Sequence, residues 1–165
     1  MSADTLRPTP VPTAFELRDL FESLLGRTVE WTGTSDHVDP IDGALIGAYT
    51  NDIGHVRALI LCDIPLTAWA GSAIALLPHS GAEATIKSGL VTAAQYDNIA
   101  EILNIAASMF NRPNTPHLRL ATTYAPRETL PADVAEWTLV PASRIDGTLA
   151  IQGYGGGRIS VVVAY

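Results

Sequence analysis

Four polar side chains recur along one stretch of this sequence at a spacing that suits one side of a helix. Asp97, Glu101, Asn104 and Ser108 are separated by four, three and four residues. At about 100° per residue they fall within an arc of about 60°. Carboxylate, amide and hydroxyl groups together supply hydrogen-bond acceptors and donors along such a stripe. We call these four residues the polar stripe.

The residues beside the polar stripe are small. Ala93, Ala94, Ala100 and Ala107 flank it, whereas a solvated helix face usually carries long charged side chains. Short neighbours let the backbone or side chains of another protein come close. The pattern therefore predicts a contact surface, and the alternative is an ordinary solvated face without a function.

The helix that carries the stripe has clear boundaries in the sequence. Thr92 and Gln95 form a capping box, in which each side chain satisfies a free backbone N–H at the helix start. A helix is expected over 93–110, and Pro113 follows it. Its predicted core face, opposite the stripe, consists of Ile99, Ile102, Leu103, Ile105, Ala106, Met109 and Phe110.

Other segments predict the elements that position this helix. A capping box of Thr13 and Glu16 begins a first helix that Gly26 ends. Its apolar positions are Phe15, Leu17, Leu20, Phe21, Leu24 and Leu25. An uncharged helix over 63–77 should be buried in the core or in a contact between subunits, and a short helix follows over 82–88. Strands are expected over 28–32, 43–50, 55–62, 117–124, 136–140, 147–153 and 159–164.

The two ends of the chain repeat one order of elements. A helix ending at Gly26 and Arg27 precedes three strands, and a helix ending at Asn111 and Arg112 precedes three or four. We therefore predict two related halves that share one core. The strongly strand-forming run 159–163 is expected to be a core strand, because an exposed edge of this kind would pair with another chain.

The stripe and the order of elements resemble the CheC/CheX family of response-regulator phosphatases. The pattern Asp97-x-x-x-Glu101-x-x-Asn104, followed by Ile105 and small residues, is similar to that family's helical signature. That signature also includes a proline some two dozen residues after the helical motif. Pro126 stands close to that place, one residue nearer to the motif than is usual. The resemblance implies an α/β (α+β) fold of the CheC/CheX type, with two pseudo-repeated helix-plus-three-strand halves forming a continuous, mostly antiparallel sheet packed by helices.

The resemblance also implies a function. These enzymes remove the phosphoryl group from an aspartate of a CheY-like response regulator in chemotaxis and other two-component signalling. Asn104 would orient a water in line with the acyl phosphate, and Glu101 would pair with the partner's active-site lysine. Asp97, Ala100, Ala107 and Ser108 would contact the partner. The metal ion would belong to the response regulator, so no cofactor of this chain's own is expected.

The sequence departs from the family's pattern in two places. The first helix has Asp19, Glu22 and Leu25 where a second motif would need a final asparagine, so a single site is expected, as in CheX. Ala107 and Ser108 stand where family members often have glycine. One alternative is therefore a non-catalytic binding module of the same fold, and another is a structural homodimer domain, with dimerisation through the uncharged helix.

Composition sets the remaining expectations. The chain has 165 residues, of which 47% are hydrophobic and 16% charged, which is typical of one globular domain. The net charge of -7 would repel nucleic-acid phosphates and an anionic membrane surface. We expect a flexible leader over 1–12, one domain over 13–165, and a cytoplasmic protein, because nothing in the sequence suggests a signal peptide or a membrane span and the lone Cys62 needs no oxidising compartment.

Two further patterns favour structural interpretations. The glycine-rich segment 153–158 precedes a β-branched run instead of a helix, which indicates a hairpin turn and not a phosphate-binding loop. The four histidines and Cys62 lack metal-ligand spacing. We therefore expect no metal site, and a buried strand position for Cys62.

Overall fold

The strand-forming run near the C-terminus lies at the centre of the molecule. A computed structural model describes residues 6–139 and 143–164. In it, β6 (Gly156–Val163) pairs with β5 (Ser143–Ile151) on one side and β3 (Val56–Asp63) on the other, both antiparallel. The expectation of a core strand is confirmed.

Two halves of the chain build one antiparallel sheet. The first half consists of α1 (Ala14–Leu25), β1 (Val29–Gly33), β2 (Ala44–Thr50) and β3. The second consists of α4 (Ala93–Ala106), β4 (Arg119–Tyr124), β5 and β6. The six strands of the described residues lie in the order β1-β5-β6-β3-β2-β4. Exchanging β1 with β4, β2 with β5 and β3 with β6 gives the same order read in reverse. The two halves are therefore related by a pseudo-two-fold axis between β3 and β6, where Ile60 faces Val161.

The core lies mainly between one face of the sheet and three helices. Apolar residues of α1, of α4 and of α2 (Ile64–Ala73) pack there with alternate residues of the strands. The other face carries a smaller cluster under the short helix α5 (Ala132–Ala135), whose Val134 is 1% exposed. The predicted fold class, two helix-plus-three-strand halves with a continuous antiparallel sheet packed by helices, is confirmed.

The uncharged helix belongs to the core of its own chain. In α2 only Pro65 and Trp69 are half-buried, and the other residues are buried. Asp63 caps it, because its carboxylate accepts from the backbone N–H of Leu66 at 2.8 Å. This helix has no open face with which to contact a second subunit.

Three expectations about local structure are wrong. Phe15 is 63% exposed, because two residues of helix turn it about 160° away from the buried Leu17. The helix α3 (His79–Ser88) begins at His79, directly after Pro78, and not at residue 82. Residues 136–139 form turns after α5 instead of a strand, since Pro131 provides the start of that helix and Leu139 remains 49% exposed. Val140 lies outside the described residues.

The predicted leader is described from residue 6. There the backbone N–H of Arg7 donates to the carbonyl of Asn114, and Val11 packs against the main core. No helix within 6–139 and 143–164 has the length and hydrophobicity that crossing a membrane requires.

Candidate functional site

The start of α4 is fixed by its own capping box and by hydrogen bonds to α3. Thr92 and Gln95 form the predicted capping box, with N···O distances of 3.2 and 3.0 Å. Gln95 is also 2% exposed. Its Oε1 accepts from the Thr85 hydroxyl at 2.8 Å, and its Nε2 donates to the Gly81 carbonyl at 3.4 Å. A buried amide with all these partners holds the helix start in one place.

The inner side of α4 lies close against α2. A Cβ on Gly71 would stand 2.8 Å from the carbonyl oxygen of Gln95, so the two backbones can approach this closely only because residue 71 is glycine. Asn98 Nδ2 donates to the Gly71 carbonyl at 2.8 Å. Ile99, Ile102, Leu103 and Ala106 fill the core below, each at most 1% exposed. These contacts fix which side of α4 faces outward.

All four residues of the polar stripe lie on that outward side and are exposed. Within the described residues, the side chains of Asp97, Glu101 and Asn104 make no hydrogen bond or ion pair. Glu101 and Asn104 are one helical turn apart, about 5–6 Å between Cβ atoms. They are thus free to meet groups of another molecule.

The flanks of the stripe differ from each other. Ala100 and Ala107 are half-buried on one flank, and Ala107 packs against the core. Ile105 lies on the other flank and is 39% exposed, so its assignment to the core face is wrong. It is only about 40° around the helix from Glu101, which places it at the border of the core face.

Each end of the stripe opens into a depression. Asp97 and Pro126 line one cleft of about 630 Å³, together with Tyr96, Leu90 and Arg127. Ser108 lines a groove of about 450 Å³ between α1 and α4. The aspartate and the proline of the recognised pattern therefore meet in one cleft, although 29 residues separate them in the sequence.

The related helix α1 lacks an equivalent pair. Glu22 accepts a hydrogen bond from the Val29 backbone N–H at 3.0 Å, and Leu25 is buried. Matching the two helices at their C-terminal ends places Glu16 and Asp19, not Glu22 and Leu25, at the positions of Glu101 and Asn104. Glu16 is paired with Arg112, and Asp19 supplies a carboxylate where α4 has an amide.

Two residues that sequence reasoning missed support α4 from below and from the side. The buried Tyr49 hydroxyl donates to the Leu103 carbonyl, and the Tyr96 hydroxyl lies 2.6 Å from the Thr123 hydroxyl in β4. The sequence did contain a signal for the Tyr49 contact, because a buried phenol needs a hydrogen-bond partner and Tyr49 lies in the otherwise apolar run 44–49.

The glycine-rich segment and Cys62 have structural roles, as the sequence favours. Residues 152–155 form the turn between β5 and β6, and Cys62 is fully buried in β3. Burial raises the pKa of its thiol, and the neighbouring charge of Asp63 raises it further. Among the described residues, no group of three His, Cys, Asp or Glu side chains could hold a metal ion.

Comparison with solved structures identifies the fold. The FliM middle domain from Vibrio alginolyticus is 12% identical, with a TM-score of 0.58 over 92% of this chain and 88% of that chain. FliM in the FliG-FliM complex from Helicobacter pylori is 10% identical, with a TM-score of 0.58 over 92% and 86%. FliY from Thermotoga maritima is 10% identical, with a TM-score of 0.54 over 89% and 81%.

The chain has the CheC/CheX/FliM fold. CheX from Vibrio vulnificus is 11% identical over 88% of this chain and 89% of that chain, with a TM-score of 0.49, too low to support a closer assignment to CheX. The sequence itself matches no protein-family model and no curated protein. At these identities the likeness establishes the CheC/CheX/FliM fold alone, and the roles of the stripe residues remain predictions.

Proposed function

We propose that this protein binds a CheY-like receiver domain through α4 and removes the phosphoryl group from its aspartate. One observation supports this above all. Glu101 and Asn104 project together from a firmly held helix into solvent, without partners among the described residues. The reaction itself is inferred from the resemblance of the sequence pattern to the CheC/CheX signature.

The chemistry assigned to Asn104 is positioning. Hydrolysis of an acyl phosphate adds water oxygen to phosphorus, breaks the bond to the aspartate oxygen and releases inorganic phosphate. The transition state is loose, so catalysis depends mainly on orientation and charge stabilisation. An amide can accept a hydrogen bond from the water and donate another to a neighbouring group, which would hold that water in line.

The role assigned to Glu101 is to hold the complex in register. Its carboxylate would form a charge-assisted hydrogen bond with the lysine of the receiver's phosphorylation site. Asp97 and Ser108 extend the same contact in both directions, and Ala100 and Ala107 leave room for the partner's backbone. The metal ion needed at the phosphoryl group would be bound by the receiver.

The experiment is the decay of a phosphorylated receiver domain. We expect Asn104→Ala to slow catalysed decay about a hundredfold, as for other lost positioning groups. Glu101→Ala should mainly weaken binding. Glu83→Ala, at another exposed helical glutamate, is the matched control and should leave decay unchanged. Full activity in both site variants would contradict the assignment.

The second candidate is a binding module without catalysis. Its support is the likeness to a FliM middle domain and to the FliM of a FliG-FliM complex, together with the altered turn at Ala107 and Ser108. In this case a protein partner would bind through the polar stripe, and phosphorylated receivers would decay at their intrinsic rate. Binding that Glu101→Ala abolishes, with no turnover in the wild type, would favour it.

A further inference from the structure

Two apolar side chains that are exposed to water lie in the same groove. Phe15 is 63% exposed and Ile105 is 39% exposed. Phe15, on α1, and Ile105, on α4, both line the groove of about 450 Å³ that begins at Ser108. Leu20, Leu24 and Met109 form its other apolar walls. Exposed apolar groups that gather in one depression mark a surface for another molecule more strongly than scattered ones.

Hydrogen bonds hold one end of the groove rigid. The Glu16 carboxylate pairs with Arg112 and also caps α1, where its Oε1 accepts from the Thr13 backbone N–H. Arg112 Nε donates to the Met109 carbonyl at 3.2 Å. Asn111 donates to the Ala107 carbonyl at 3.1 Å and to the Leu118 carbonyl at 2.9 Å. The groove is therefore formed before any partner binds, which lowers the entropic cost of binding.

The groove continues the polar stripe. Ser108 belongs to both, and Ile105 is the residue next to Asn104. Along α1 the groove runs from Phe15 to Leu24, about 13 Å at the rise of an α-helix. A molecule seated on Glu101 and Asn104 is thus adjacent to this apolar surface.

The charged residues around the groove favour one kind of binding partner over another. Arg112 is neutralised by Glu16, and the Arg18 guanidinium lies over the Phe15 ring at 5.3 Å from its centroid, whereas the exposed carboxylate of Asp19 has no ion pair within the described residues. Glu101 adds a second such carboxylate nearby. A second copy of this chain, with its net charge of -7, would meet like charge here. A segment with apolar side chains flanked by lysine or arginine would meet opposite charge.

We propose that this groove is the second half of the docking surface for the receiver domain and binds an apolar, basic-flanked segment of it. This inference rests on the proposed function. Glu101 and Asn104 engage the phosphorylation site, and the groove holds the receiver beside it. Phe15 and Ile105 supply the apolar contact, and Asp19 supplies the charge that attracts the flanking cations.

The test measures the dissociation constant of receiver domains loaded with beryllofluoride, an analogue of the phosphoryl group. Receiver domains from the same genome are screened against the wild-type protein, and the tightest binder is used. We expect the double variant Phe15→Ala, Ile105→Ala to raise the dissociation constant about tenfold, as loss of central apolar contacts does. Asp19→Lys should raise it as well, and should do so more at low salt.

Matched controls carry the same changes elsewhere on the surface. Ile53→Ala removes an apolar side chain that is 74% exposed in the turn between β2 and β3. Glu83→Lys reverses an exposed helical charge on α3. Neither should change the dissociation constant, and thermal unfolding of every variant verifies the fold.

Three results would overturn the inference. Unchanged binding in the groove variants, while Glu101→Ala weakens binding, would exclude the groove and leave the proposed function standing. Failure of every receiver to bind the wild type would exclude both. A wild-type dimer in sedimentation that Phe15→Ala, Ile105→Ala dissociates, with receiver binding unchanged, would identify a second copy as the occupant.

Discussion

The Tyr49 hydroxyl donates a hydrogen bond to the backbone carbonyl of Leu103, the residue before Asn104. In a continuing α-helix that carbonyl would accept from the N–H of Ala107. Here the Ala107 N–H donates instead to the backbone carbonyls of Asn104 and Ile105. Residues Ala107–Met109 form a 3₁₀ turn. A strand residue thus holds the last turn of α4 from inside the core, directly beneath the candidate site.

Tyr49→Phe should destabilise the protein and disturb the site. The Leu103 carbonyl is buried, so losing its donor should lower the free energy of unfolding by about 1–3 kcal/mol. Urea unfolding measures this. Tyr124→Phe is the control, because the hydroxyl of that half-buried tyrosine makes no hydrogen bond in the described residues. Equal loss of stability in the two variants would refute the role of Tyr49.

Burial raises the pKa of Tyr49 well above its usual value, and the nearby Cys62 raises it further. The folded state therefore favours the neutral phenol. The stability that this provides is complete below the unfolded pKa of about 10 and is lost as pH rises beyond it. We expect the alkaline loss of stability to be smaller in Tyr49→Phe than in the wild type, as urea unfolding at a series of pH values would measure.

Asp146 should contribute to acid unfolding. Burial alone would raise its pKa, but hydrogen bonds from Arg144 and Ser160, and the charges of Arg144 and His37, hold its pKa below the usual value. Arg144 Nε and Nη2 lie 2.9 and 2.8 Å from its oxygens. The carboxylate therefore stabilises the fold above the unfolded pKa of about 3.9, and this stability is lost as pH falls through the folded pKa.

Asp146→Asn tests that contribution. Removing one partner of this half-buried ion pair should lower the free energy of unfolding by about 1–2 kcal/mol at neutral pH, and the difference from the wild type should shrink in acid. Unfolding by urea across an acid pH series measures both effects. Asp52→Asn, at a carboxylate that is 84% exposed, should show neither. A pH-independent difference for Asp146→Asn would mean that the loss is one of packing instead of charge.

Cys62 should be inert in the folded protein. Its side chain is 0% exposed in β3, and burial keeps the thiol in its unreactive protonated form. A colorimetric thiol reagent should therefore detect one thiol per chain only after denaturation. Ser80→Cys adds an exposed thiol for comparison and should react at once. Rapid modification of wild-type Cys62 would indicate that β3 opens readily.

Local signals predicted the elements that have strong boundaries. Both capping boxes and the Gly26 helix stop lie where the sequence placed them, because each depends on neighbours within a few residues. The glycine-rich segment does belong to a hairpin, but the turn is at 152–155, and Gly156 and Gly157 already lie in β6. The repeated order of helix and strands predicted two related halves, and the resemblance to the CheC/CheX family predicted the fold class. The polar stripe could be predicted for the same reason, since exposure along α4 depends on helical period.

Other features depend on contacts between distant residues. The strand order places β5 between β1 and β6, which no local pattern specifies. Tyr49 reaches Leu103 across 54 residues of sequence. The alternation of Glu136, Trp137, Thr138 and Leu139 imitates a strand, yet Thr138 is buried in a turn and its carbonyl accepts from Arg144. Tertiary packing overrides such short patterns.

The openness of the stripe gives the last prediction, Ala100→Arg. Arginine is nearly as favourable as alanine in a helix, and Ala100 is only half-buried beside Glu101, so we expect stability to change by less than about 1 kcal/mol. A long side chain at this position would occupy the space through which a partner reaches Asn104. Receiver binding should therefore weaken at least about tenfold while the fold persists. The dissociation constant measures receiver binding, and the urea midpoint measures stability.

Ala84→Arg, at an exposed position of α3, is the matched control. If Ala100→Arg bound a receiver as tightly as the control, the partner would have to approach α4 from the flank of Ile105 alone.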